Sequence, residues 1–479
     1  MSEPAAPTFS ITAFFRYSIS RASQSAVAWS LFATAFRLLS GVLVLPLVVR
    51  TLPSDHLGLW YVFLSLQGIA ALFDLGFSPT VTRAAGYLWG GARELKKFGV
   101  AHVETGDRAN PEPNCPLLMS LVATMRLYYR FFGIGSGLIM LLAGGAWIWI
   151  KTQNLPDAAS LRACYAVFVV GGFLNATGDL WPALLSGING VRSAQKILVG
   201  SACINFVTTV GGLLAHCGIW SLVIATVAAG AFIRFAGRAA FFRLAALKID
   251  RQSRLNFDLI GTLWPTAWRS GLVSLGGFLV ISANTLICSA FLDLRRTASY
   301  GLSLSIIAIL TYASSTFIQI KLPLINQLRA TNRATEIIEL WIQRTRVSIV
   351  FFVLGGLVLL FWGNPALQTI GAKTLLLPKA QLALALLIFG LEMHHSLYGS
   401  LIISENQNPF VAPALISGGA TLLLSLILTP RLGVWGMLLA QGISQACFNN
   451  WWTVYRAIRG LGLSWSDYWQ RYLRSPIGI

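Results

Sequence analysis

Long apolar runs alternate with short polar breaks along nearly the whole chain. A helix needs about 20 predominantly apolar residues to cross the hydrocarbon core of a bilayer. Twelve runs qualify: 27–49, 57–78, 127–150, 161–184, 197–217, 219–241, 259–281, 299–321, 345–362, 381–403, 410–429 and 433–455. The breaks carry turn residues, as in "RTLPSD" (50–55), "KTQNLPD" (151–157) and "SENQNP" (404–409). The pattern predicts an all-α polytopic membrane protein with about 12 transmembrane helices.

Runs one and seven share more than hydrophobicity. Ser30, Thr34 and Arg37 stand at spacings of four and three, and Thr262, Thr266 and Arg269 repeat those spacings inside "TAFR" (34–37) and "TAWR" (266–269). At 3.6 residues per turn each trio shares one helix face. Downstream, "GLWYVFLSL" (58–66) and "GLSLSIIAI" (301–309) open the next runs at similar offsets. The repeat predicts two six-helix lobes related by a pseudo-twofold axis along the membrane normal. The implied division is a cytoplasmic N-terminal segment (1–26), an N-lobe (27–241) with a hydrophilic loop at 79–126, a linker (242–258), a C-lobe (259–455) and a tail (456–479). In the tail, Arg residues mix with Trp465, Tyr468, Trp469 and Tyr472, which predicts an amphipathic helix on the inner leaflet.

Charge sets the orientation. Only 11% of residues are charged, against about a quarter in soluble domains. The formal net charge of +19 does not gather into a patch or arm, so nucleic acid is not the predicted partner; the lipid bilayer is. With the N-terminus inside, 25 of the 36 Lys and Arg fall in inner segments and 8 in outer ones. Both termini are then cytoplasmic. The outer loops are all short. No basic n-region precedes a short apolar core, so no cleaved signal peptide is expected, and the first run itself directs insertion. The six cysteines lack metal-ligand spacing, so neither a disulfide framework nor a zinc site is expected. No nucleophile elbow or H-E-x-x-H appears, and "GVWGMLLAQG" (433–442) follows no strand, so its glycines do not make a phosphate loop. No cofactor, metal or catalytic residue is indicated.

The candidate chemistry lies in the buried charges. An arginine at mid-span costs about 2.5–3.5 kcal/mol on insertion scales and persists where it meets water or a partner. Two readings of Arg37 and Arg269 stay open. They either pair with Asp74, Asp179 or Glu392 for packing, or line a central cavity and bind an anion, with Ser30, Thr34, Thr262 and Thr266 beside them. Guanidinium groups bind phosphates in a bidentate fashion and stay charged, so two facing each other would suit a pyrophosphate. Arg130 and Lys321 lie near inner ends, where long side chains snorkel. Asp74 is expected to answer Arg83 locally. Glu392, followed by His394 and His395, and Asp179 are candidates for ion coupling or for structural networks.

Four stretches carry a resemblance: "FDLGFSPTVTRAAGYLWGGARELKKFG" (73–99), "EPNCPLLMSLVATMRLYYRFFG" (112–133), "WPALLSGINGVRSAQK" (181–196) and "LEMHHSLYGSLIISENQNPFVAPALISG" (391–418). They look like bacterial polysaccharide-biosynthesis membrane proteins, the Wzx-type O-antigen or oligosaccharide flippases of the MATE-like superfamily. The resemblance spans about 27–470. It implies a V of two lobes around a cationic cavity in the cell inner membrane. It implies a polyprenyl (undecaprenyl) pyrophosphate-linked oligosaccharide as substrate, and a polysaccharide polymerase and chain-length proteins as partners. Three rivals stand beside it. A multidrug exporter would favour acidic cavity residues. A glycan polymerase or ligase would need a large outer loop. A peptidoglycan-precursor flippase would share the pyrophosphate and differ in glycan.

Overall fold

The structure is a computed structural model that describes residues 26–97, 112–246, 255–331, 333–405 and 409–474; side chains 26–28, 30–31 and 330 lie outside that description. The N-terminal segment before 26 and the middle of the 242–258 linker lie outside the described residues as well. The described chain is helical, with no strand. Its first half holds α1 (Ala26–Thr51), α2 (Ser54–Leu72), α3 (Phe77–Trp89), α4 (Cys115–Thr152), α5 (Ala158–Gly178), α6 (Leu180–Gly187), α7 (Val191–Leu214) and α8 (Trp220–Ala245). Its second half holds α9 (Asp258–Phe291), α10 (Leu294–Gln319), α11 (Leu322–Ala330), α12 (Ala334–Thr369), α13 (Lys379–Ile403), α14 (Val411–Leu432), α15 (Val434–Cys447), α16 (Asn449–Gly460) and α17 (Trp465–Arg474).

Ten of the described helical segments are long and apolar enough to cross a membrane, and the bent pair α2–α3 has that length and composition only when its two helices are taken together. The chain is a multi-pass membrane protein. The twelfth expected crossing, 433–455, is broken at Phe448 (φ −143°, ψ −66°) into α15 and α16. The break falls in a polar stretch. Asn449 Nδ2 donates to Ser417 Oγ (2.8 Å) and Gln445 Oε1 (2.9 Å), and Ser444 Oγ donates to the Ser417 carbonyl (2.9 Å). Several crossings also run past the apolar runs that signalled them, as α4 and α12 do, because a helix continues into water where polar residues still favour it.

The second expected crossing does not end at 78. The chain bends by 46° and continues as α3, inside the stretch read as a hydrophilic loop. The bend uses Leu75 (φ 49°) and Gly76 (φ 75°). Gly76 has no alternative there. A Cβ on it would lie 2.5 Å from the Ala267 carbonyl oxygen and 2.6 Å from Ser270 Cβ of α9. Val81, Ala84, Ala85 and Leu88 then bury the inner face of α3.

Apolar side chains form three cores, and their placement decides the shape of the molecule. One is shared by both halves. It joins Val48, Leu57 and Phe63 to Leu161 and Phe168, and these to Leu294, Tyr300, Leu376 and Met437. All lie toward the end that carries the short loops 50–55, 151–157, 215–219, 291–294 and 370–378. At the opposite end the cores are separate. One gathers Phe77, Met125, Trp181 and Phe241 with Leu259 and Leu263. The other gathers Ile325, Trp341, Tyr398 and Ile458. One core thus spans both halves at the loop end, whereas at the other end two cores stand apart, the first of them including the start of α9.

Two features tighten the loop end. α2 and α10 cross with glycines at the contact: a Cβ on Gly58 would lie 2.0 Å from the Leu294 carbonyl oxygen, and one on Gly301 would lie 2.4 Å from the Tyr61 ring. These are the two glycines that open the repeated stretches at 58 and 301. The loops also bond across the halves. Asp55 pairs with Arg295 at 3.5 Å, and Lys151 Nζ donates to the Ala290 carbonyl at 3.3 Å. The tail holds a helix, α17, and that helix packs against the protein. Tyr468 is buried, its hydroxyl is 2.7 Å from that of Tyr398, and Arg346 lies over the Tyr472 ring at 4.7 Å.

Candidate functional site

A cavity of about 790 Å³ lies between the halves, lined from α1, α2, α5, α7 and α8 on one side and from α10 on the other. Its walls carry Arg37, Ser40, Gln67, Asn175 and Asn205 opposite Ser305 and Tyr312. Arg37 stands on α1, whose main packing partner is α7. Its Nε donates to the Ala33 carbonyl at 3.3 Å, one turn back. Its two terminal amino groups make no bond to protein among the described residues, and it forms no ion pair. No carboxylate lines this cavity. A guanidinium with free donors can take an anion, and here it shares a largely apolar cavity with a few neutral amides and hydroxyls.

The partner trio is placed differently. Arg269, exposed as Arg37 is, stands on α9 with its guanidinium 5.9 Å from the Trp268 ring centre, and it is not among the residues lining the cavity. Thr262 Oγ1 is spent on the Asp258 carbonyl at 2.9 Å, and Thr266 is half-buried. On α1, Thr34 is half-buried, and the Ser30 side chain lies outside the described residues. The reason for the difference is packing. The "TAWR" turn of α9 is where the α2–α3 bend docks, with Gly76 against Ala267 and Gly271 against Leu75. Neither arginine pairs with a carboxylate among the described residues, and of the two only Arg37 lines the cavity, so they do not face each other across it.

A second polar pocket of about 510 Å³ lies in the first half and shares Gln67, Asn175 and Leu198 with the large cavity. It holds Asp74 and Asp179. Asp74 sits at the α2–α3 bend, where Oδ1 accepts from the Tyr129 hydroxyl (2.5 Å) and Oδ2 from the Ser78 N–H (3.2 Å). It therefore caps α3, where the helix dipole favours a negative charge, and does not answer the exposed Arg83. Asp179 stands at the break between α5 and α6, open to the pocket, with no side-chain hydrogen bond among the described residues.

The second half has a polar pocket of its own, about 360 Å³, lined by Glu392, His395, Ser417, Gln445 and Asn449. Glu392 Oε2 lies 3.8 Å from His395 Nε2, whose ring Nδ1 is 2.9 Å from Asn450 Oδ1. Glu392 Oε1 and both amide atoms of the neighbouring Gln441 are buried without a hydrogen bond of good geometry among the described residues. His394 does not join them. Its ring lies tilted against that of Tyr398, centroids 4.9 Å apart, and it lines an apolar pocket with Phe352 and Leu386. Consecutive residues on a helix point about 100° apart, so the histidine pair could not share one site. The amides Gln67, Asn175 and Asn205 were missed in the sequence. Their signal was present: each interrupts an apolar run with a side chain that needs a polar surrounding.

No protein-family model matches the sequence, and no curated protein is similar to it in sequence. Solved structures are similar in fold. The lipid II flippase MurJ, in an inward closed conformation, superposes with a TM-score of 0.62 at 12% identity, over 94% of this chain and 90% of that one. The MATE multidrug transporter DinF-BH gives 0.62 at 13% identity, over 93% and 97%. A MOP superfamily transporter from Pyrococcus furiosus gives 0.53 at 13% identity, over 92% and 98%. The fold is that of MOP-type polytopic membrane transporters.

Proposed function

We propose that the protein is a flippase that carries an undecaprenyl-pyrophosphate-linked oligosaccharide from the inner to the outer leaflet of the cytoplasmic membrane by alternating access, for polysaccharide synthesis. The observation that carries this reading is Arg37, an unneutralised guanidinium in a wide neutral cavity between two halves of a membrane bundle. A diphosphate would take the free donors of Arg37. The glycan would lie among the amides and hydroxyls, whose hydrogen-bonding groups match those of a sugar. The polyprenyl chain would stay in lipid. The parted cores face the end that holds most of the Lys and Arg, so this conformation would load from the cytoplasm. The two lobes, the six-and-six division and the role of Arg269 belong to the same proposal. Arg269 stands beside the α2–α3 bend and would act there through the hinge.

The test is export per folded molecule. Arg37→Ala is expected to abolish or sharply reduce transfer of a fluorescent polyprenyl-pyrophosphate glycan in proteoliposomes, at normal abundance. Arg37→Lys keeps the charge but loses the planar fork, so an intermediate loss is expected. Unchanged transfer in Arg37→Ala would sink the reading. A second reading is favoured by one specific observation: Asp74 and Asp179 line the pocket that adjoins the cavity. Carboxylates there suit a cationic drug. That reading expects dye efflux that fails in Asp179→Asn and survives in Arg37→Ala, the reverse of the flippase pattern.

A further inference from the structure

Four arginines converge on one groove at the flank of the first half, away from the central cavity. Arg126 and Arg130 stand one turn apart on α4, Arg234 and Arg238 one turn apart on α8, and Thr177, Leu180 and Trp181 form the wall between them. The groove holds about 100 Å³. No Asp or Glu lines it, and none of the four arginines forms an ion pair among the described residues. Arg234 is engaged: it donates to Thr177 Oγ1 and lies over the Phe173 ring at 5.4 Å. Asp74 and Asp179 line the neighbouring pocket described above, and Tyr129, which bonds Asp74, lines both.

Depth says what can reach these groups. Lys151 closes α4 at the loop end, and Arg130 lies about 31 Å from it along the axis at 1.5 Å per residue. Trp220 opens α8 at the same end, and Arg238 lies about 27 Å from it. The hydrocarbon core is about 30 Å thick. Arg130 and Arg238 therefore fall near headgroup depth in the opposite leaflet, with Arg126 about one turn further out and Arg234 about one turn deeper. Beside them, Phe131 is 65% exposed and Phe235 64% exposed, as side chains that face acyl chains would be. The inward preference of basic residues concerns loops and helix ends. It does not require four cations from two helices to share a groove without a counter-ion, where like charges repel.

We propose that this groove binds the phosphate of a lipid headgroup, entered sideways from the bilayer. Planar guanidinium forks from two helices can hold one phosphate through several charge-assisted bonds, and the exposed phenylalanines lie where its acyl chains would run. The inference rests on the membrane placement of the chain and not on the flippase reading, so either can fail alone. Two sources offer the same chemistry: a resident anionic phospholipid, or the polyprenyl phosphate lipid itself.

The test uses the purified full chain and lipid adducts counted by native mass spectrometry. Phosphatidylglycerol is expected to be retained at least 10-fold more tightly than phosphatidylcholine. Arg130→Gln with Arg238→Gln should remove that preference, and Arg130→Lys with Arg238→Lys should keep part of it. The lysine pair preserves the test if the glutamine pair does not fold. If undecaprenyl phosphate displaces phosphatidylglycerol at equal or lower concentration, the groove serves the polyprenyl lipid; if it does not, it serves a resident phospholipid. Equal retention of phosphatidylglycerol and phosphatidylcholine by the wild type would overturn the proposal. So would undiminished preference in a folded glutamine pair. Tight binding of inorganic pyrophosphate that lipid does not compete for would make this a free-anion site and also overturn it.

Discussion

Breaking the loop-end latch should open the cavity to the outside. Residues 49–54 of the first half are bonded to residues 373–374 of the second. The Lys373 N–H donates to the Val49 carbonyl (2.8 Å), and Lys373 Nζ to the Thr51 carbonyl (2.8 Å). Ser54 Oγ donates to the Lys373 carbonyl (2.7 Å) and accepts from Thr374 Oγ1 (2.9 Å). Ser54→Ala removes the last two bonds, and Lys373→Met removes the ammonium bond. A net hydrogen bond contributes about 0.5–1.5 kcal/mol, and these are partly exposed, so the lower half of that range applies and the double variant loses about 2 kcal/mol. If all of it falls on the closed conformation, the closed-to-open ratio shifts about 30-fold. The assay labels a cysteine at Ser40, which lines the cavity, in a chain whose six native cysteines are replaced. A membrane-impermeant maleimide is added from outside. The labelling rate should rise about 10–30-fold, with no change in labelling from the cytoplasmic side beyond a matching fall. An unchanged rate in a folded double variant would show that these bonds do not hold the cavity shut.

Gly58→Ala should lower the melting temperature and the yield. Its Cβ would meet a backbone carbonyl, which cannot step aside as a side chain can, and overpacking costs about 1–3 kcal/mol. Gly76→Ala should be worse, because it adds a clash with the Ala267 carbonyl to a φ of +75°. Asp74→Ala should destabilise by about 1–2 kcal/mol through the lost α3 cap, and Tyr129→Phe by less; denaturation in detergent ranks the three proteins, and equal midpoints would refute the capping role. Glu392→Gln should leave abundance unchanged. If Glu392 moves ions, export should fall in that variant; wild-type export would leave it structural.

The membrane class was legible because a bilayer demands about 20 apolar residues per crossing, and that length is written in the chain. The ends of the crossings were less legible. Hydropathy marks where lipid stops, whereas a helix stops where its backbone does, so α4 and α12 outrun their apolar runs. The last crossing misled for another reason. Residues 433–455 are apolar enough on average, but Gln445 and Asn449 bond to each other and to Ser417, and this network draws the chain into a break at Phe448 that a mean value hides.

The two repeats show the same limit at finer scale. The pair Gly58 and Gly301 was visible as an offset, and the structure gives it a physical meaning, since each glycine makes room at the same helix crossing. The pair Arg37 and Arg269 was equally visible, and there the surroundings differ. Spacing along a helix decides which side chains share a face; it does not decide what that face meets. α1 presents its arginine to a cavity, while the corresponding turn of α9 receives the α2–α3 bend. That asymmetry bears on mechanism. For the cavity to open at the loop end, the shared core around Phe63, Phe168 and Tyr300 must part, exposing apolar surface worth about 25 cal/mol per Å². Only new burial at the opposite end can offset that, where the cores around Met125 and Trp341 now stand apart. The bend at Leu75–Gly76 ties α3, which belongs to the first of these cores, to α9, which begins the second half. It is therefore placed to couple the parting of one core to the meeting of the other two.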